Sequence, residues 1–185
     1  MKLRSFGDTG MNVSEVGLGA WQLANPDWGI NDSQEALRIV QKSLEAGCNF
    51  FGTAPGYGGG RREELLGEGL KSVRKDVILC TKFGHTADGI TDFSTSAIRP
   101  SIEASLHRLQ TDYLDIVLMH NPPREMMNGR VASQYEEFEK LKTEGKLGFW
   151  RWTSIVFGVA GTYRQNDVVD VIYESAGGGR TVASN

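Results

Sequence analysis

Short apolar runs alternate with segments of helical periodicity along most of this chain. Strand-like runs are predicted at residues 16–21, 48–51, 77–81, 113–119 and 147–152. Helices are predicted at residues 33–46, 63–70, 96–109 and 135–144. Strands that are almost entirely apolar, each followed by a helix, are typical of a parallel sheet covered by helices. A turn at residues 7–10 lies between two short alternating runs, which predicts an N-terminal β-hairpin.

Two architectures are common for this alternation, a doubly wound sheet and a barrel. A doubly wound sheet usually has a glycine-rich phosphate loop between its first strand and first helix, whereas Gly17 and Gly19 lie inside a strand-like run that leads to Trp21. We therefore expect an α/β fold of the TIM-type (β/α) barrel class. A closed barrel takes ~250 residues, so the 185 residues present predict a partial barrel of about five to six of the eight units.

The expected domain organisation is one partial barrel over residues 1–175 and a disordered tail over residues 176–185, which are glycine-rich and polar. An open partial barrel exposes strand edges and one apolar face. This exposure predicts self-association.

Charge and composition limit the expected partners. The net charge is −3 and no run of Lys or Arg occurs, so neither nucleic acid nor a membrane surface is an expected partner. No apolar stretch approaches the ~20 residues of a membrane span and the N-terminus does not resemble a signal peptide. We expect a cytoplasmic protein in which Cys48 and Cys80, both inside apolar runs, are reduced, and we expect no metal site.

Polar or aromatic residues follow four of the predicted strands. Trp21 follows the first, Tyr57 lies in a glycine-rich turn after the second, Lys82 follows the third and His120 follows the fourth. Taken singly, each has an ordinary explanation as a surface cap, a solvated strand end or a turn residue. Together they lie at the strand ends that form the active face of such barrels.

The motifs around these residues resemble those of the aldo-keto reductase family. The matching segments are residues 48–58, 61–67, 80–84, 109–115 and 119–123, in the family's order. The similarity extends over about residues 2–150.

The resemblance implies NADPH-dependent reduction of a small aldehyde or ketone. Tyr57 would be the general acid that protonates the carbonyl oxygen while NADPH delivers hydride to the carbon. A phenol is a poor acid at neutral pH unless a cation stabilises its phenolate, which Lys82 would supply. His120 would polarise the carbonyl and bind the substrate with Trp21, the expected aromatic wall of the pocket.

The sequence departs from the family at a catalytic position. The family has an aspartate that pairs with the lysine, and here that position is Gly52. Removing a buried charge partner commonly costs ~3–5 kcal/mol, or roughly two to four decades in rate. Arg62 replaces a serine that often caps the next helix, which we expect to have a small effect.

The positions that the family uses for the cofactor also differ. Residues 151–154 depart from the usual pattern, and Tyr173 occupies the approximate position of a glutamine. Arg180 follows three glycines, which alone is weak evidence for a phosphate-binding segment. We therefore assign no cofactor-binding residue and expect no saturable change in NADPH fluorescence at micromolar protein.

Three interpretations remain open from the sequence. The first is an aldo-keto-reductase-like oxidoreductase with impaired activity. The second is a truncated, non-catalytic pseudo-enzyme that associates with itself or with a full-length relative. The third is a lyase or aldolase in which Lys82 forms a Schiff base, and only the placement of a lysine near an apolar pocket supports it.

Overall fold

The computed structural model of the protein describes residues 1–123, 126 and 132–153. The predicted tail at residues 176–185, the end of the predicted domain at residue 175, and the positions Tyr173 and Arg180 lie outside the described residues.

A five-stranded parallel sheet forms the body of the fold, in the order β3-β4-β5-β6-β7. Its strands are β3 (Leu18–Gly19), β4 (Phe50–Gly52), β5 (Ile78–Phe83), β6 (Leu114–His120) and β7 (Leu147–Thr153). Ahead of it, β1 (Leu3–Ser5) and β2 (Asn12–Ser14) form the expected antiparallel hairpin. This arrangement confirms the α/β class and corresponds to five of the eight strands of a (β/α) barrel. Strand β3 is shorter than predicted, so Trp21 lies in the turn beyond it.

Four α-helices connect the strands, as the apolar periodicity predicts. They are α1 (Ser33–Glu45), α2 (Arg61–Leu70), α3 (Thr95–Arg108) and α4 (Ala132–Thr143). The Asp32 carboxylate caps α1 by accepting a hydrogen bond from the Glu35 N–H at 2.7 Å. Helix α3 follows the N-cap Ser94 and begins one residue before the predicted range, so Pro100 lies in its second turn.

Apolar side chains pack on both faces of the sheet. The larger cluster lies between the sheet and the helices and includes Phe51, Phe83 and Phe138. The opposite face, which we call the interior face, has a core of Cys80, Ile116 and Leu118 against which Phe6, Met11, Phe50, Ile78 and Phe149 pack. The Phe6 ring lies 5.8 Å from the Phe50 ring, so the hairpin covers part of this face. Because side chains alternate along a strand, Lys82 shares the interior face with Cys80.

A buried carboxylate joins two helices to the middle strand of the sheet. Glu63 on α2 is fully buried. It accepts hydrogen bonds from the Thr81 hydroxyl of β5 and from Nε of Arg108 on α3, both at 2.6 Å. This network holds β5, the strand that carries Lys82, against the helix layer. The sequence pattern alone indicated only a helical glutamate.

We expect Glu63→Gln to lower the free energy of unfolding by about 3 kcal/mol, because it leaves the Arg108 guanidinium without its charge partner in a largely buried setting. The measurement is urea unfolding at pH 7. Glu64→Gln is the matched control: Glu64 pairs with Arg61 on the surface and its loss should cost less than about 1 kcal/mol. Equal losses in the two variants would contradict the assignment of Glu63 as a buried structural charge.

Candidate active site

The candidate site lies at the ends of β4, β5 and β6, three neighbouring parallel strands. Strand β4 ends at Gly52, and the turn that follows it carries Tyr57, whose N–H donates to the Ala54 carbonyl at 3.1 Å. Lys82 is the penultimate residue of β5 and His120 is the last residue of β6. Because parallel strands end at one edge of a sheet, the fold brings three residues together that are far apart in the sequence.

Lys82, Tyr57 and His120 are in contact. The Lys82 ammonium lies 3.2 Å from the Tyr57 hydroxyl and 4.8 Å from the centroid of its ring. It also donates a hydrogen bond to the Thr53 carbonyl at 2.9 Å. The Tyr57 and His120 rings meet edge to face with centroids 5.8 Å apart. The sequence analysis named these three residues as one site, and the structure places them in one cluster.

Trp21 lies in the turn after β3, next to the strand that leads to Tyr57. Its side chain is half exposed and packs edge to face on Trp28 with ring centroids 5.5 Å apart. The structure therefore places Trp21 at the correct end of the sheet and pairs it with Trp28. Its role as the wall of a substrate pocket stays a prediction.

Burial dominates the electrostatics of the cluster. It lowers the pKa of Lys82 to about 8 and raises the pKa of Tyr57 to about 12. Burial, with the nearby charges of Lys82 and His85, lowers the pKa of His120 to about 3. Near neutral pH the phenol therefore keeps its proton and the imidazole is uncharged. The expectation that Lys82 stabilises the phenolate stays a prediction, since the causes that raise the Tyr57 pKa are its burial and, less, the neighbouring Cys80.

Gly52 lies on the interior face beside the lysine strand. It is in register with Cys80 on β5, and side chains at paired positions of neighbouring strands point to the same face. A side chain at position 52 would therefore share that face with Lys82, two residues further along β5. The chain has no carboxylate at this position, and the Lys82 ammonium instead bonds to backbone and phenol oxygens.

Arg62 follows the same turn at the start of α2. The helix begins after Gly60 without a side-chain cap bond, as expected for a chain in which Arg62 replaces a serine. The Arg62 guanidinium lies against Gly58, and burial lowers its pKa. Its Nε is buried without a hydrogen-bond partner in the part of the chain that the structure describes.

Sequence reasoning missed His85, which lies in the loop after β5. Its ring meets the His120 ring edge to face with centroids 4.9 Å apart. The available signal was a histidine only three positions beyond Lys82, in a chain with three histidines in total.

Comparison with known proteins agrees with this geometry. The sequence profile described as "Aldo/keto reductase family" matches residues 15–150. The chain belongs to this family. It is 40% identical over 152 residues to an L-galactose dehydrogenase of Arabidopsis thaliana, covering 80% of this chain and 47% of that protein. It is 31% identical over 163 residues to an NADH-specific methylglyoxal reductase of Escherichia coli, covering 80% of this chain and 50% of that protein.

Solved structures give the same family. The holo form of an aldo-keto reductase from Bacillus halodurans superposes with a TM-score of 0.74 and 35% identity, covering 84% of this chain and 51% of that one. The chain thus spans about half the length of the relatives it matches.

Within the described ranges, no group of three or more His, Cys, Asp or Glu side chains is arranged to hold a metal ion. None of the described helices has the length and apolarity needed to cross a membrane.

The buried lysine leads to a test of stability against pH. The folded protein holds Lys82 with a pKa of about 8, below its ordinary value of 10.5, so the unfolded chain binds more protons between these values. The cost of the buried ammonium is present in full below pH 8 and disappears as the pH rises toward 10.5. Wild type should therefore gain about 2–3 kcal/mol relative to Lys82→Met between pH 7 and pH 10.

Urea unfolding at pH 7, 8.5 and 10 measures this gain, and Lys42→Met, which removes a lysine from the exposed face of α1, is the matched control. If the stabilities of wild type and Lys82→Met run parallel over this range, the lysine is not buried as described.

Proposed function

We propose that the protein is an oxidoreductase that reduces a small aldehyde or ketone with a nicotinamide cofactor, NADPH by family resemblance, and that its turnover is slow. Membership of the aldo/keto reductase family supports the reaction class. The observation that carries the proposal is the contact of Lys82 with Tyr57 at 3.2 Å, with His120 against the same phenol. We also propose a cytoplasmic location, which the two free, buried cysteines support.

The described residues fit the substrate end of this reaction. Neither ring nitrogen of His120 bonds to a described residue. Because Nδ1 is buried, Nε2 is the nitrogen that would meet a carbonyl oxygen. Tyr57 keeps its proton at neutral pH and would donate it as negative charge develops on that oxygen. Lys82 would then face the phenolate that remains.

A bound nicotinamide would supply the hydride. The positions that the resemblance assigns to it, the side chains of residues 151–154 and Tyr173, lie outside the described residues. We therefore assign it no ligand set.

The missing carboxylate explains the expected slow turnover. With glycine at position 52, burial moves both Tyr57 and Lys82 toward their uncharged forms. An aspartate there would keep the ammonium charged and fixed beside the phenol, and would make the phenolate easier to form.

We expect Gly52→Asp to raise kcat by about 100-fold, the low end of what a buried charge partner contributes. The assays are reduction of methylglyoxal with NADPH or NADH and oxidation of L-galactose with the oxidised cofactors, because two relatives carry these names. Cofactor affinity, measured separately by fluorescence titration, should not change. Gln41→Glu adds a carboxylate on the exposed face of α1 and should have no effect on rate.

Tyr57→Phe should remove turnover from both the wild type and Gly52→Asp. Turnover that survives this change would contradict the role of Tyr57 as proton donor. Trapping of a borohydride-reduced adduct on Lys82 would favour Schiff-base chemistry instead.

A second candidate is a non-catalytic member of the family that self-associates, and Gly52 is the observation that favours it. Strands β3 and β7 are the edges of the described sheet, and Val16, just before β3, is 62% exposed. A complete lack of turnover in Gly52→Asp, together with a stable dimer in sedimentation velocity, would favour this candidate over the enzyme.

A further inference from the structure

The orientation of His120 is not set by hydrogen bonds. None of the described residues bonds to either of its ring nitrogens, and Nδ1 is buried. A catalytic imidazole is commonly held by a hydrogen bond to one nitrogen while the other faces the substrate. In this protein two ring contacts orient the imidazole instead. The ring centroids of His120 and Tyr57 are 5.8 Å apart, and those of His120 and His85 are 4.9 Å apart. Of the two, the contact with His85 is the shorter.

His85 is itself held firmly. Its Nδ1 pairs with the Thr91 hydroxyl at 2.9 Å, and the two residues form a β-bridge. On its other side the His85 ring meets Phe93 edge to face at 5.7 Å. Phe93 is buried and packs on Phe83 of β5. The ring that touches His120 is therefore fixed to the helix-side core.

The segment that carries His85, residues 84–93, is a closed loop that lies along the Tyr57 turn. Its ends are joined by a hydrogen bond from the Asp92 N–H to the Gly84 carbonyl at 2.9 Å. Gly84 has φ +114°, and a Cβ there would overlap the Phe93 ring, so this path requires glycine. A Cβ at Gly56, next to Tyr57, would lie 3.8 Å from the Cβ of His85. The loop thus contacts both the turn that carries the proton donor and the ring that faces the carbonyl.

We propose that His85 is a positioning residue, which holds the His120 ring edge-on against Tyr57 in the orientation that receives a carbonyl oxygen. It acts through His120 and through the shape of its own ring. The kinetic part of this inference rests on the proposed function, whereas the structural part does not.

The structural test uses NMR of the purified protein at pH 7. The nuclear Overhauser effect between the His120 and Tyr57 rings reports their contact, and exposed His107 serves as the internal reference. We expect His85→Ala to weaken this effect at least twofold and to change the ring chemical shifts of His120, whose other charged or titratable contacts are Tyr57 and Lys82. His85→Phe keeps an aromatic ring but loses the hydrogen bond to Thr91, so it should retain most of the effect. An unchanged effect in His85→Ala would overturn the proposal.

The kinetic test uses the same variants. We expect kcat to fall about tenfold in His85→Ala with less than a twofold change in KM, and to recover in His85→Phe. A loss of equal size in His85→Phe would overturn positioning by ring shape. If the wild type shows no turnover, the proposed function fails while the NMR experiment still decides the role of His85.

A third variant provides the test if His85→Ala does not fold, which circular dichroism would show. Thr91→Val removes only the hydrogen bond that orients the His85 ring at an exposed position. It should weaken the contact between His120 and Tyr57 by an intermediate amount. No change in Thr91→Val, with His85→Ala unfolded, counts against the proposal.

Discussion

Burial of the Lys82 ammonium on an otherwise apolar sheet face is the constraint around which this site is built. The residue is 3% exposed, and a charged group in that position must find oxygen atoms or lose its proton. Its oxygen contacts include the Thr53 carbonyl and the Tyr57 hydroxyl, both from the segment that follows β4. The demand of the ammonium for hydrogen-bond acceptors therefore ties that segment to β5 and fixes the phenol. His120 then packs on the phenol, and His85 packs on His120.

The same burial sets the chemistry of the pair. Desolvation raises the pKa of Tyr57 and lowers that of Lys82, so both changes favour a neutral phenol beside a neutral amine. A carboxylate near the lysine would oppose this tendency, and Gly52 supplies none. The phenol is consequently a weaker acid than free tyrosine, and in the proposed reaction its proton transfer would depend on the strong basicity of the oxygen formed by reduction of the carbonyl. Tyr57 and Lys82 are therefore well placed for the proposed reaction, but burial makes the phenol of Tyr57 less acidic.

The sequence predicted the meeting of Tyr57, Lys82 and His120 because parallel strands end at one edge, and strand ends can be read from apolar runs. It did not predict the direction of the Tyr57 pKa, because a sequence shows which charge is nearby but not how much water is excluded. His85 was missed because a loop has no periodicity from which side-chain direction follows. Glu63 was missed because a glutamate in a helical segment is usually solvated, and only the packed structure shows its three-element network.

The two ends of the sheet differ in how well their polar groups are satisfied by hydrogen bonds. At the strand starts, Arg74 donates to the Asp115 carboxylate and to the Tyr113 carbonyl, and the Leu79 N–H donates to the same carboxylate. Polar groups at that end are satisfied by the protein. At the other end, the buried Oγ1 of Thr53 and Nδ1 of His120 have no hydrogen-bond partner among the described residues. Buried polar atoms without partners are costly and few in folded proteins. Both belong to residues that contact Lys82 or Tyr57, so the cost of unsatisfied polar atoms falls at the end of the sheet that carries the candidate site.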